Sequence, residues 1–182
     1  DLGCTGARDA HNNATDVSPR LDAMAAQGLR FTRGYSNSSV CSPTRFALAT
    51  GRWQYRLRGA AEEPIASVHG DKVLGLPPNH PTVASLLRDA GYATALVGKW
   101  HLGYPPHFGP RLSGYEEFYG FHAGGADYFA HCDPRGRPDF WRNEEPHTED
   151  GYLTDLLSRR AVDFVKRQTA EQPFYLSLHY SA

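Results

Sequence analysis

The chain is sparing with several things, and each shortage excludes something. It has only three cysteines, Cys4, Cys41 and Cys132, and one methionine in 182 residues. An odd, widely spaced cysteine set with no CxxC pair makes neither a zinc site nor a disulfide framework, and at least one thiol must be unpaired. Charge of one sign is also lacking: 19 basic and 20 acidic residues leave a formal net charge of -1. Such a balance creates no field that would gather nucleic acid or an anionic membrane, and partners of that kind are not indicated. No apolar run approaches the ~18–20 residues that span a bilayer. There is no internal repeat, no low-complexity tract and no long linker. The chain opens at Asp1 without an initiator Met and shows no basic n-region followed by an apolar h-region, so a leader peptide, if one exists, lies upstream and the compartment is not legible.

What is present suits a globular α/β protein. With 40% hydrophobic and 12% aromatic residues, the chain can bury one core, as one domain or as part of a larger one. Ser18-Pro-Arg-Leu-Asp-Ala-Met-Ala-Ala-Gln-Gly28 begins with a capping serine and a proline at the first helical position, and ends at glycine, which predicts a short helix. Leu29, Phe31 and Tyr35 then alternate with Arg30 and Thr32, the pattern of a half-buried strand. Beyond the polar elbow Ser36-Asn-Ser-Ser39, the run Ser42 to Thr50 has helix formers after an early proline and stops at Gly51, which puts Cys41 at a helix N-terminus. A second unit follows: Thr82 caps a helix that ends at Gly91, and Ala93 to Gly98 reads as a mostly buried strand. A third places a helix over Thr154 to Gln168 and a strand over Phe174 to His179. Gly103 to Pro110 and Pro134 to Pro138 read as loops. Helix then strand, three times, predicts an α/β fold with a largely parallel sheet flanked by helices.

In such sheets ligands collect beyond the carboxyl ends of strands, where helix N-termini expose free N–H groups. Cys41 occupies such a place, and Arg45, one turn on, adds a permanent cation with a fork that matches oxyanions. At the end of the second unit, Gly98-Lys99-Trp100-His101 in extended geometry puts Lys99 and His101 on one side and Trp100 on the other. A nucleophile position, two anion clamps and a titratable imidazole suffice chemically to cleave an anionic ester. Taken without its flanks, Cys41 would read as a small buried apolar residue, and Lys99 with His101 as a solvated strand end. The remaining histidines (His11, His69, His80, His107, His122, His131 and His147) show no ligand spacing and read as surface polar groups. Arg159-Arg160 and Lys166-Arg167 read as the wet face of their helix.

Two stretches carry a family resemblance. Ser39-Val-Cys-Ser-Pro-Thr-Arg45, continuing to Leu48-Ala-Thr-Gly51, resembles the first signature of the type I, formylglycine-dependent sulfatases. Gly91-Tyr-Ala-Thr-Ala-Leu-Val-Gly-Lys-Trp-His101 resembles the second. The similarity runs from Asp1-Leu-Gly3 through Gly151-Tyr-Leu-Thr154 to Pro173-Phe-Tyr-Leu176. Ala49 stands where the pattern usually has a bulkier apolar residue, a matter of helix packing, and Cys-x-Pro-x-Arg is intact.

The resemblance implies an alkaline-phosphatase-like fold, an arylsulfatase-like hydrolase of sulfate esters, and a maturation enzyme that oxidises Cys41 to formylglycine. It implies that Arg45 and Lys99 steady the aldehyde hydrate and the sulfate, and that His101 contacts a hydrate oxygen. A divalent cation, usually calcium, would be held by Asp1 and the residue derived from Cys41. Asp127 and Tyr128, within Gly124-Gly-Ala-Asp-Tyr-Phe129, match a segment bordering the substrate pocket. The expected substrate is a sulfated small molecule or carbohydrate. Phosphonate or phosphate ester hydrolysis is the related alternative, and a non-catalytic truncated remnant is the alternative of another class.

By the same resemblance residues 1–182 form part of a catalytic domain. The first of two metal-binding aspartates would precede Asp1, and a further His, an Asp-Asn pair and a Lys would follow Ala182. The 182 residues alone are therefore expected to bind calcium poorly and to turn over nothing, an expectation that a purified chain of this length would overturn by hydrolysing an aryl sulfate.

Overall fold

The structure is a computed structural model that describes residues 2–14, 17–57, 65 and 74–181. The chain divides into two compact units, Asp1–Ser36 and Asn37–Ala182.

The smaller unit contains helix α1 (Pro19–Gln27), started by proline and ended at Gly28 as the sequence predicts. Ser18 does not cap it. Its hydroxyl instead accepts from the Gly3 amide and donates to Asp22, and Asp22 also takes the Cys4 amide at 2.7 Å, which ties the amino-terminal turn to the helix. The strand expected over Leu29 to Tyr35 is absent: Leu29, Phe31 and Tyr35 are 79%, 75% and 87% exposed. Alternation alone does not make a strand; a ladder partner must satisfy the backbone, and the described residues of this unit include no strand to supply one.

The larger unit is built on five strands in the order β4-β3-β2-β1-β5. Strand β1 (Ala93–Lys99) is central and lies parallel to both β2 (Glu117–Phe121) and β5 (Phe174–His179). Two short strands, β3 (Trp141–Arg142) and β4 (Glu145–Pro146), add an antiparallel margin beside β2. The sheet is therefore mixed but mostly parallel, with two helix-then-strand units rather than three. Strand β2 was not anticipated, because Glu117-Phe-Tyr-Gly-Phe121 is buried along nearly its whole length and so shows no period-two alternation.

Helices cover both faces. Helices α2 (Cys41–Thr50) and α3 (Val83–Asp89) contribute Phe46 and Ala84 to one core cluster, with Leu96, Trp100, Tyr115 and Phe118 from the sheet side. Helix α4 (Leu153–Lys166) presents Leu153, Leu156, Leu157 and Ala161 to a second cluster with Val97, Tyr119 and Phe121. Adjacent residues Leu96 and Val97 thus enter different cores, as strand geometry requires. Ala49 packs against the first cluster, where its small side chain is a packing feature of the helix.

Caps and ion pairs fix the helix ends. Thr82 and Ser85 form a reciprocal capping box at the start of α3. Arg160 and Arg167 are not simply solvated: both pair with Glu117, at 2.7 and 3.0 Å, and tie α4 to the first residue of β2. His122 and His131, expected at the surface, are only 2% and 7% exposed. His69 lies outside the described residues.

The sheet is tightest where β1 meets its neighbours near their carboxyl ends. Gly98 pairs with Gly120 on one side and with His179 on the other. A Cβ on Gly98, whose φ is 109°, would stand 2.0 Å from the His179 carbonyl oxygen. Gly98→Ala is therefore expected to cost at least ~2 kcal/mol of stability in urea unfolding. Gly109→Ala, where a Cβ meets nothing within 4 Å, should leave the midpoint within about 0.5 kcal/mol of the parent's.

Candidate active site

Cys41 is the first residue of α2, as the sequence predicts, preceded by Val40 in extended conformation. The elbow before it is held by local bonds: the Ser38 hydroxyl accepts from the Val40 amide, and the Thr44 hydroxyl donates to the Ser38 carbonyl at 2.9 Å. Pro43 sits in the first turn, where its missing N–H costs no helical bond. Buried Ser42 accepts the Ile65 amide, which fastens residue 65 over the helix start.

Lys99 and His101 reach Cys41 from the end of β1. Their sharing of a side is as expected, but the extended backbone assumed for it is not: His101 has a φ of 57°. Trp100 turns away into the first core, 2% exposed. His101 is itself 3% exposed, with Nδ1 at 3.1 Å from the Cys41 sulfur and Nε2 at 2.7 Å from the Ile65 carbonyl oxygen. A carbonyl only accepts, so Nε2 carries the ring proton, and Nδ1 is left as an acceptor facing position 41. Burial, then the nearby Lys99 charge, lowers the His101 pKa to about 4, which keeps the imidazole neutral around pH 7.

Two cations lie near position 41. The Lys99 ammonium donates to the Gly124 carbonyl on the loop after β2 and also interacts with the Cys41 thiol. Burial holds its pKa below the ordinary lysine value, and Cys41 opposes that shift. Arg45 is largely buried, and its Nη1 donates to the Lys99 carbonyl at 2.9 Å and to Nδ1 of His179, also at 2.9 Å. The loop that carries Gly124 is anchored by buried Asp139, whose carboxylate accepts from the amides of His122 and Ala123 and from the Trp141 indole. Gly124 has no room for a side chain, since a Cβ would lie 2.7 Å from the His101 ring.

Four of the residues singled out from sequence, Cys41, Arg45, Lys99 and His101, therefore converge. Asp1 lies outside the described residues. The Asp127 carboxylate is exposed and caps its own turn, accepting from the Phe129 and Ala130 amides. Tyr128 stacks near Tyr152 and donates to the Ser181 carbonyl. Neither residue makes a hydrogen bond to the four that converge. Sequence reasoning missed His179; its signal was its place at the carboxyl end of a strand in register with Gly98.

All three cysteines are free thiols. Among the described residues no three His, Cys, Asp or Glu side chains cluster to hold a cation. These residues do not by themselves make a calcium site. Among the same residues no helix is long and apolar enough to cross a membrane.

A mostly parallel sheet with a cysteine, two cations and a neutral imidazole gathered at its carboxyl end is an arrangement suited to an anionic ligand. Comparison with known proteins narrows the class. A model of the family described as Sulfatase matches residues 5–182. The chain is 36% identical over 176 residues to N-acetylgalactosamine-6-sulfatase of Homo sapiens, an alignment that covers 87% of this chain and 33% of that protein. It is 31% identical to arylsulfatase G of Mus musculus, covering 97% of this chain and 37% of the other. Among solved structures, Ps i-CgsB in complex with k-i-k-neocarrahexaose superposes with a TM-score of 0.80 at 31% identity, over 100% of this chain and 43% of that one. BT4656 in complex with its substrate D-glucosamine-2-N,6-O-disulfate superposes at 0.68 and 26% identity, over 90% and 29%. The chain belongs to the sulfatase family, with the alkaline-phosphatase-like fold of its structural neighbours. It spans about a third of the length of the curated relatives it matches.

The burial of neutral histidines has a consequence for stability. His101, His122 and His179 have pKa values lowered to about 4, 3 and 4, chiefly by burial. In the unfolded chain each titrates near 6.5, so below that pH the unfolded state binds more protons and stability falls as pH falls. Urea unfolding at pH 5 should give a lower stability than at pH 7. His122→Phe, which keeps a ring against Phe118 and Trp141, should reduce that loss by up to about 1.4 kcal/mol per pH unit; an unchanged slope would show that His122 is not neutral in the fold.

Proposed function

We propose that the protein is a sulfuric ester hydrolase whose nucleophile is the formylglycine made from Cys41. Its substrate is a sulfated carbohydrate or an aryl sulfate. The observation that carries this reading is the 3.1 Å approach of a proton-free His101 Nδ1 to the Cys41 sulfur at a helix N-terminus flanked by Arg45 and Lys99. The sulfur stands where a hydroxyl of the hydrated aldehyde would be.

The residues divide the work as follows. Arg45 and Lys99 bind sulfate oxygens, and the free N–H groups at the start of α2 add partial positive charge. One hydroxyl oxygen of the hydrate attacks sulfur, the sulfur–oxygen bond to the alcohol breaks, and the alcohol leaves with a proton. The second hydroxyl then gives its proton to Nδ1 of His101, its oxygen becomes the aldehyde carbonyl, and the carbon–oxygen bond to sulfate breaks. Water re-forms the hydrate, and the proton on His101 passes to solvent. A cysteine has one nucleophilic atom and no second hydroxyl, so it could not release sulfate in this way; a maturation enzyme is the necessary partner.

The sulfated ligands named for Ps i-CgsB and BT4656 favour a carbohydrate ester, while Lys99 and Arg45 alone would equally accept a phosphonate or phosphate. The test is the whole protein that carries these residues, made with a formylglycine-generating enzyme and assayed on an aryl sulfate, an aryl phosphonate and a sulfated sugar. Turnover of the sulfates well above the phosphonate is expected, with Cys41→Ala lowering it by more than about a thousandfold. Preference for the phosphonate would move the protein to the related activity. Recovery of Cys41 only as a thiol from the native host would end the catalytic reading.

A further inference from the structure

Arg45 must present its guanidinium to an anion in one orientation, and a long, flexible side chain does so only if something holds it. Nη1 of Arg45 lies 2.9 Å from both the Lys99 carbonyl oxygen and Nδ1 of His179. Nδ1 is also 3.1 Å from the Lys99 oxygen, so a protonated Nδ1 would donate to that carbonyl and a bare Nδ1 would accept from Arg45. Arginine can only donate. The arginine contact is the shorter of the two, and it favours a His179 ring that holds its proton on Nε2 and offers Nδ1 as an acceptor.

The sheet holds both contacts of Nη1 in place. Residue 179 ends β5 in register with Gly98, whose missing side chain lets the His179 carbonyl lie against β1. Lys99, the other contact, is the next residue on β1. The charged and titratable groups around the imidazole are Arg45 on α2, Lys99 on β1, and Tyr115 and Tyr175, which line a cavity of about 20 Å³ with it. No carboxylate is among them, and only the Lys99 carbonyl, among the groups that act on the ring, favours an imidazolium. Burial, then Arg45, lowers the His179 pKa to about 4.

We infer that His179 is a positioning residue that, with the Lys99 carbonyl, orients the Arg45 guanidinium so that Nε and Nη2 remain free to bind the anion of the substrate. This rests on the hydrolase reading above for its kinetic consequence, but the hydrogen bond itself does not.

Two measurements test it on the whole protein made with its maturation enzyme. In the kinetic one, His179→Leu removes the acceptor and is expected to lower kcat/KM for the best sulfate ester about tenfold to a hundredfold. His179→Asn, whose side-chain oxygen reaches the Nδ1 position, should stay within about threefold of the parent. A leucine variant within twofold of the parent, or an asparagine variant as impaired as the leucine one, overturns the proposal. In the second, the nitrogen shifts of the His179 imidazole report its tautomer in the unsubstituted folded protein. Protonated Nε2 with bare Nδ1 supports the proposal, and a proton on Nδ1 overturns it whether or not the leucine variant folds. A parent that turns over no sulfate ester would fail the hydrolase reading, and the tautomer would still decide the pairing.

Discussion

The close approach of strands at Gly98 is the constraint on which the rest depends. Three consecutive residues of β1 and its exit, Gly98, Lys99 and Trp100, each do a different thing within one short stretch. Gly98 admits β5 and β2 at a distance no other residue allows, with Gly120 equally bare on the far side. Lys99 supplies both an ammonium to the site and a backbone carbonyl to Arg45. Trp100 closes the first core. Because the parallel register aligns strand ends, the carboxyl ends of β1, β2 and β5 come together, and α2 delivers Cys41 to the same place.

The electrostatics follow from that placement. Burial lowers the pKa of Arg45, Lys99 and His101 together, and no carboxylate among the described residues hydrogen-bonds any of them. Two cations without a carboxylate partner among the described residues are costly around a single position without an anion, and the sulfate ester of the proposed function would relieve that cost on binding. The imidazole escapes a third charge by staying neutral, with its tautomer set by the Ile65 carbonyl. That tautomer turns Nδ1, as an acceptor, toward residue 41.

The legible parts of the site were those written in short range. Cys-x-Pro-x-Arg sets a helix start, a proline in its first turn and a cation one turn on, all within five residues, and α2 begins at Cys41 as that pattern says. Lys99 and His101 were legible because a buried strand ends there. Strand β2 and the burial of His122 and His131 were hidden because a segment covered on both faces shows no alternation, and histidine carries no burial signal of its own. The opposite error came at Leu29 to Tyr35, where alternation was present and the ladder partner was not.

By itself, then, the sequence determined that Cys41, Arg45, Lys99 and His101 belong together, where the helix of the site would start, and that β1 and β5 would be strands, since these follow from local spacing, capping and periodicity. Only the tertiary structure decided that residue 179 belongs with residue 45, that Gly124 and Ile65 lend their carbonyls to Lys99 and His101, and which ring nitrogen faces Cys41. Those facts depend on strand register and on which backbone groups end up adjacent after the chain has closed, and no pattern of neighbouring residues encodes contacts made across 134 positions.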